Sequence, residues 1–238
     1  MTRPAAILFD LDDTLYPERQ FVDSGFAAVA RYLESFTGVS AADLTRRLIA
    51  LHDERGRGHL FDALLEELGR PAERDLILAC LLIYRTHQPT LEPFPRVVDT
   101  LRAIRAAGIR TGLISDGHAA TQHRKLAALP EVERNLDVVV MTDDLGNEHA
   151  KPSQMPFLVA CRLLGLPPTD AVYVANDSRK DFLGARGAGL RTIQVGRPPD
   201  EGGATMATRS SDAGADADLT VDTIVEALPA MLGEGDDL

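Results

Sequence analysis

The sequence predicts an α/β protein: a doubly wound, parallel-sheet, Rossmann-like core domain with a helical domain inserted after its first strand. Three observations predict it. Short apolar runs alternate with helical patterns from about residue 96 onward, as βα units do. The first run, Ala5–Phe9, is apolar at every position, which suits a strand buried on both faces. Residues 17–92 carry helical periodicity alone. The expected division is a core domain of residues 1–16 and 93–238 and a helical domain of residues 17–92.

The elements follow in order. After Ala5–Phe9, one helical face holds Phe26, Val29, Ala30 and Leu33. A second holds Leu44, Leu48 and Leu51, and a third holds Phe61, Leu64, Leu65 and Leu68 before Gly69. Leu76 to Tyr84 is nearly all apolar. This makes about four helices of ordinary length, expected to pack above the strand ends. Arg96–Ala107 is then helical, with Val97, Val98, Leu101 and Ile104 on one face and Gly108 as the stop. Strands are expected at Ile109–Ile114, Val138–Met141, Ala171–Ala175 and Thr192–Val195. Helices are expected at Ala119–Leu129, Pro152–Leu164 and Ser178–Ala188. Pro152 suits a first helical position, and Gly165 suits the cap after the last turn. Residues 198–218, rich in Gly, Ala, Ser and Asp, read as a mobile loop. A short strand and helix are expected within Ala217–Leu232.

The 238 residues are ample for a buried core. The net charge of −11 is concentrated: residues 198–238 hold ten acids and one base, leaving only −2 on residues 1–197. The balance argues against a nucleic-acid surface but leaves phosphate chemistry open. Cys80 and Cys161 each lie in an apolar stretch and read as buried free thiols. The N-terminal apolar run, Ala5–Phe9, is too short for a signal-peptide core, and no run approaches a membrane span. The expectation is a cytoplasmic protein, monomer or homodimer, without membrane or nucleic-acid partners.

Chemistry is concentrated at the ends of the predicted strands, where α/β sheets place ligands. Phe9-Asp10-Leu11-Asp12-Asp13-Thr14-Leu15 puts carboxylates two residues apart after the first strand. In an extended chain they project to one side, and a hard dication such as Mg²⁺ relieves their repulsion. Ser115, in Ile114-Ser115-Asp116-Gly117, sets a hydroxyl just past the second strand. Lys151-Pro152 sets a cation at a helix start. Lysine is a rare choice here, with three lysines against 22 arginines. Asn176-Asp177-Ser178-Arg179-Lys180-Asp181 adds acids after another strand. Taken singly, each has a bland reading as a turn serine, a surface lysine or a helix cap. Their order along the chain is what carries the signal.

In that order the sequence resembles the haloacid-dehalogenase-like superfamily, over about residues 5–197 and 217–232. Asp10 to Thr14 match its first motif, Ser115 its second, Lys151 its third, and Asn176-Asp177 through Asp181 its fourth. The helical insert resembles the family's C1 cap. The resemblance implies a Mg²⁺-dependent phosphatase acting on a small phosphorylated metabolite such as a sugar phosphate or nucleotide. Asp10 would be the nucleophile that forms an aspartyl-phosphate, and Asp12 the general acid and base. Thr14, Ser115, Asp116 and Lys151 would hold the phosphoryl group, with Lys151 also neutralising charge. Asp10, Asp12 and either Asn176 or Asp177 would hold Mg²⁺, supported by Asp181.

Two positions depart from the family pattern. Ala175-Asn176 stands where Gly-Asp is common, and Asp116 where Asn is common. The alternatives are a phosphomutase of the same fold or a catalytically weak phospho-ligand binder. A dehalogenase is disfavoured by Asp12. A receiver-like domain is disfavoured because Lys151 precedes the Asn176-Asp177 cluster and because of the insert. Arg55-Gly56-Arg57-Gly58-His59 reads first as a turn between helices, and His118 as a helix-start histidine.

Overall fold

β1 (Ala6–Phe9) is buried at all four positions and lies inside a six-stranded parallel sheet. The other strands are β2 (Arg110–Ser115), β3 (Val138–Met141), β4 (Ala171–Ala175), β5 (Arg191–Val195) and β6 (Leu219–Val221). Their order is β3-β2-β1-β4-β5-β6. The structure is a computed structural model and describes residues 3–70, 73–196 and 216–233. The sheet grows outward in both directions from β1, so the crossover direction reverses there and opens a crevice at the carboxyl ends. Register sets Phe9 beside both Leu113 and Val174. The segments beginning at Asp10, Ser115 and Asn176 therefore leave neighbouring strands at one edge of the sheet.

The chain divides into two compact units, residues 1–17 with 92–238, and residues 18–91. The second unit is helical, with α1 (Glu18–Thr37), α2 (Ala41–Arg55), α3 (Leu60–Glu67) and α4 (Arg74–Thr86). Its core gathers Phe26, Val29 and Leu33 of α1, Leu44 and Leu48 of α2, Leu64 of α3, and Leu76 and Cys80 of α4. Ser40 caps α2 by accepting from the Asp43 amide. Arg55 to His59 form the turn from α2 to α3, and Arg57 there pairs with Glu18.

In the sheet unit the remaining helices are α5 (Val97–Ala106), α6 (Ala119–Ala127), α7 (Pro130–Glu133), α8 (Met155–Leu164), α9 (Phe182–Gly187) and α10 (Ile224–Leu232). Strand alternation divides the core. Ala6, Leu8, Tyr173 and Ala175 pack with Phe157 and Ala160 of α8 and Phe182 and Ala185 of α9. Ile7 and Phe9, pointing the other way, are equally buried, and α5 and α10 pack against β2 and β5. Among the described residues, no helix is long and apolar enough to cross a membrane.

Three expectations need correction. The helix expected from Pro152 begins at Met155, with Pro156 in its first turn. The Ser153 amide instead bonds back to the Ala150 carbonyl in a turn, so Lys151 sits in a loop before the helix. The helix expected over 178–188 shortens to α9, because the Lys180 and Asp181 amides turn back onto the Asp177 carbonyl. The helix expected over 119–129 ends at Ala127, and Pro130 starts α7. Gly165 caps α8 with φ 65° as its composition suggests. Most of the segment read as a mobile loop lies outside the described residues.

Candidate active site

Beyond β1 the chain turns sharply. Asp13 adopts φ 56°, and the Leu15 amide donates to the Leu11 carbonyl at 3.0 Å. Leu11, Leu15 and Tyr16 are fully buried and anchor this turn. It fixes Asp10 beneath the sheet edge and carries Asp12 outward.

Asp10 meets Lys151 and Asp181 in a buried triad. Lys151 Nζ lies 2.7 Å from Asp10 Oδ1 and 2.7 Å from Asp181 Oδ1. Tyr173, on β4, completes the cluster: its hydroxyl donates to Asp181 Oδ1 at 3.0 Å and accepts from Lys151 Nζ at 3.0 Å. The second oxygens, Asp10 Oδ2 and Asp181 Oδ2, are buried without a hydrogen-bond partner. Burial lifts the Asp10 carboxyl to about 6, although Lys151 pulls it down. Burial alone would lower the Lys151 ammonium, but Asp10 and Asp181 outweigh it and hold it well above its ordinary value. Lys180 responds to the same acids, and Asp10 is the largest influence raising it against the effect of its own burial.

Backbone packing holds the triad together. Gly184 of α9 lies directly against the Pro152 carbonyl, and a Cβ there would overlap it. Only glycine permits this approach, which joins the segments bearing Lys151 and Asp181.

Asp12 has a different environment. Its Oδ1 accepts from the Tyr16 hydroxyl at 2.6 Å and from Lys125 Nζ at 2.8 Å. Its Oδ2 accepts from Gln122 Nε2 at 2.9 Å and from Lys125 Nζ at 2.9 Å. Burial opposes its ionisation, but Lys125, Tyr16 and Gln122 overcome that and hold the carboxyl below its ordinary value. Gln122 also donates to Ser115 Oγ at 2.6 Å. The serine's own proton is thereby left to be donated elsewhere.

The other expected residues sort themselves by contact. The Thr14 hydroxyl points to Asn176 Oδ1 at 3.4 Å, so Asn176 faces the first motif. Asp177 turns away, and its carboxylate accepts from the Arg179 guanidinium at 2.9 Å and from the Arg179 amide at 3.1 Å. Asp116, expected to hold phosphate, uses its carboxylate as a brace. It accepts from the Thr142 hydroxyl at 2.8 Å and from the Lys151 amide at 3.2 Å. The carboxylate thus helps to locate Lys151, and any contact of Asp116 with a phosphoryl oxygen would fall to its main-chain amide. His118 stands exposed at the start of α6. It also lines a depression of about 340 Å³ with Gly117, Thr142, Asp143 and Asn147.

Among the described residues no three His, Cys, Asp or Glu side chains come together as a metal-binding group. Two of the expected oxygen ligands remain open to a cation: the unpartnered Asp10 Oδ2 and the Asn176 amide oxygen beside Thr14. One carboxylate and neutral oxygens suit a hard dication.

Tyr16, Gln122, Lys125 and Tyr173 were not singled out from the sequence. The usable signal was lysine scarcity: Lys125 pairs with Asp12, Lys151 with Asp10, and Lys180 feels Asp10.

The sheet has its switch point at β1, and an acidic turn, a serine, a lysine and a further acid gather at its carboxyl edge, as in an α/β enzyme. The chain belongs to the haloacid dehalogenase-like hydrolases, whose family model matches residues 4–189. It is 35% identical over 198 residues to a glyceraldehyde 3-phosphate phosphatase of Methanopyrus kandleri, covering 81% of this chain and 84% of that one. It is 26% identical over 234 residues to a ribulose-1,5-bisphosphate 5-phosphatase of Halopiger xanaduensis, covering 93% and 96%. In fold it is similar to the Bacillus subtilis hydrolase YfnB, with a TM-score of 0.66 and 17% identity over 97% of this chain and 99% of that one.

Proposed function

We propose that this protein is a Mg²⁺-dependent phosphatase that hydrolyses a small phosphomonoester through an aspartyl-phosphate on Asp10. The observation that carries the reading is Asp10 itself. It is a buried carboxylate with Oδ1 held by Lys151 at 2.7 Å and Oδ2 unpartnered. One oxygen is anchored and the other is available to attack.

Asp10 Oδ2 forms a bond to phosphorus as the bond to the leaving oxygen breaks, and that oxygen takes a proton from Asp12. Water then gives a proton to the Asp12 carboxylate and attacks the phosphorus, and the bond to Asp10 breaks. Ser115 and Thr14 donate to the phosphoryl oxygens. Lys151 disperses negative charge on Asp10 and on the phosphoryl group in transit. The Asp10 carboxylate, the Asp12 carbonyl and Asn176 would hold Mg²⁺, which when bound supplies charge neutralisation for the phosphoryl oxygens. Asn176 is preferred over Asp177 because Asp177 is committed to Arg179.

Residues 18–91 would act as the cap that selects the leaving group. The named activities of the relatives support a hydroxylated sugar phosphate as the substrate class. Phosphate release over a panel of phosphorylated metabolites, with and without Mg²⁺, tests the reading. Turnover of triose or pentose phosphates that requires Mg²⁺ is expected, and no release from any phosphomonoester would overturn it.

A further inference from the structure

We propose that Lys125 and Gln122, neighbours on one face of α6, are positioning residues that fix the Asp12 carboxylate for proton transfer to the leaving oxygen. This rests on the phosphatase reading above. The four donor contacts fill the acceptor positions of the ionised carboxylate, and three of them come from α6; the proton that Asp12 carries before transfer takes the place of one contact, and the others keep the group in position. An aspartate on a sharp turn otherwise samples several χ1 wells. With both oxygens held, one rotamer remains.

The contacts also set where that rotamer points. One Gln122 amide nitrogen donates to Asp12 Oδ2 and to Ser115 Oγ. The proton-transfer group is thus tied to the hydroxyl that grips the phosphoryl group. Lys125 approaches both oxygens, at 2.8 and 2.9 Å, so it resists rotation of the carboxylate about its own axis. The Asp12 side chain nonetheless keeps 16% exposure, against 5% for Lys125. The acid can be reached while its brace is buried. A plain structural ion pair between α6 and the β1 turn would require neither the serine link nor the accessible carboxylate. Displacements of about 1 Å in a catalytic group can cost on the order of 100-fold.

The test separates positioning from folding by leaving group. Wild type, Lys125→Met and Gln122→Leu are assayed with Mg²⁺ on glycerol 3-phosphate and on p-nitrophenyl phosphate. The first substrate expels an alkoxide that needs a proton, and the second expels a stable phenolate that does not. kcat/KM reports steps through phosphoryl transfer. The ratio between two substrates is independent of how much of a variant is folded. Each variant is expected to lose about 10- to 100-fold in kcat/KM on glycerol 3-phosphate and less than about 3-fold on p-nitrophenyl phosphate. An unchanged ratio in both variants, with wild type active, would overturn the positioning role alone. If wild type turns over neither, the alkyl and aryl esters it does hydrolyse in the phosphomonoester panel replace them; a wild type inactive on every ester would overturn the phosphatase reading and this inference with it. Lys125→Met and Gln122→Leu serve as independent checks should one of them fail to fold.

Discussion

Lys151 Nζ sits 2.7 Å from Asp10 Oδ1 and equally close to Asp181 Oδ1, with its side chain fully buried. The buried charges do not cancel: one ammonium faces two carboxylates. Such clusters are poor devices for stability, since each charge is costly to desolvate. This one is better understood as a prepared site.

Lys151→Met is expected to destabilise the fold by about 3–5 kcal/mol, because it leaves two buried carboxylates facing each other. Lys151→Met with Asp181→Asn should recover part of that loss, as the double variant removes one of the stranded charges. Urea unfolding at pH 7 measures both, and strictly additive losses would contradict the coupling.

Burial places the Asp10 carboxyl at about 6 in the metal-free protein. Protonated below that pH, it would neither attack phosphorus nor hold a dication; ionised above it, the carboxylate would be competent for the proposed roles. Carbon-13 carboxyl resonances, assigned against Asp10→Asn, should show a titration near 6 that Mg²⁺ moves downward. A titration that Mg²⁺ leaves in place would remove Asp10 from the metal site.

Asn176 and Asp177 are adjacent but face different partners, Thr14 and Arg179. Asn176→Ala is expected to weaken Mg²⁺ binding at least about tenfold, as loss of a direct ligand does. Asp177→Asn should change it by less than about threefold. Calorimetry with Mg²⁺ on the two proteins decides, and the reverse ranking would assign the metal to Asp177.

Gly184→Ala is expected to cost about 1–3 kcal/mol, because its methyl would overlap the Pro152 carbonyl. Since that contact joins the Lys151 and Asp181 segments, kcat should fall as well. A variant with wild-type Tm and kcat would show that the contact is dispensable.

Much of the fold was legible because the sheet is parallel and buried on both faces. Ala6–Phe9, Val138–Met141 and Ala171–Ala175 announce themselves as apolar runs closed by polar residues. The start of α8 was not legible. Pro152 carries the same helix-start signal as Pro156, and only the tertiary packing of Gly184 on the Pro152 carbonyl distinguishes them. In the site, motif order marked Asp10, Ser115, Lys151 and Asp181. Side-chain direction was hidden: the place of Asp116 after Ser115 does not reveal that its carboxylate braces the Lys151 amide. Tyr173 was hidden differently. As a strand residue it reads as core, and its ring does pack on Phe157, yet its hydroxyl reaches Lys151 and Asp181.

As the proposed nucleophile, Asp10 would carry the phosphoryl group between the two steps of the reaction. Acid quenching of the working enzyme, followed by mass spectrometry of its peptides, tests it directly. One added phosphoryl group on the peptide containing Asp10 is expected, appearing with substrate and Mg²⁺ and absent from Asp10→Asn. Full turnover by Asp10→Asn, or a phosphoryl group on another residue, would contradict it.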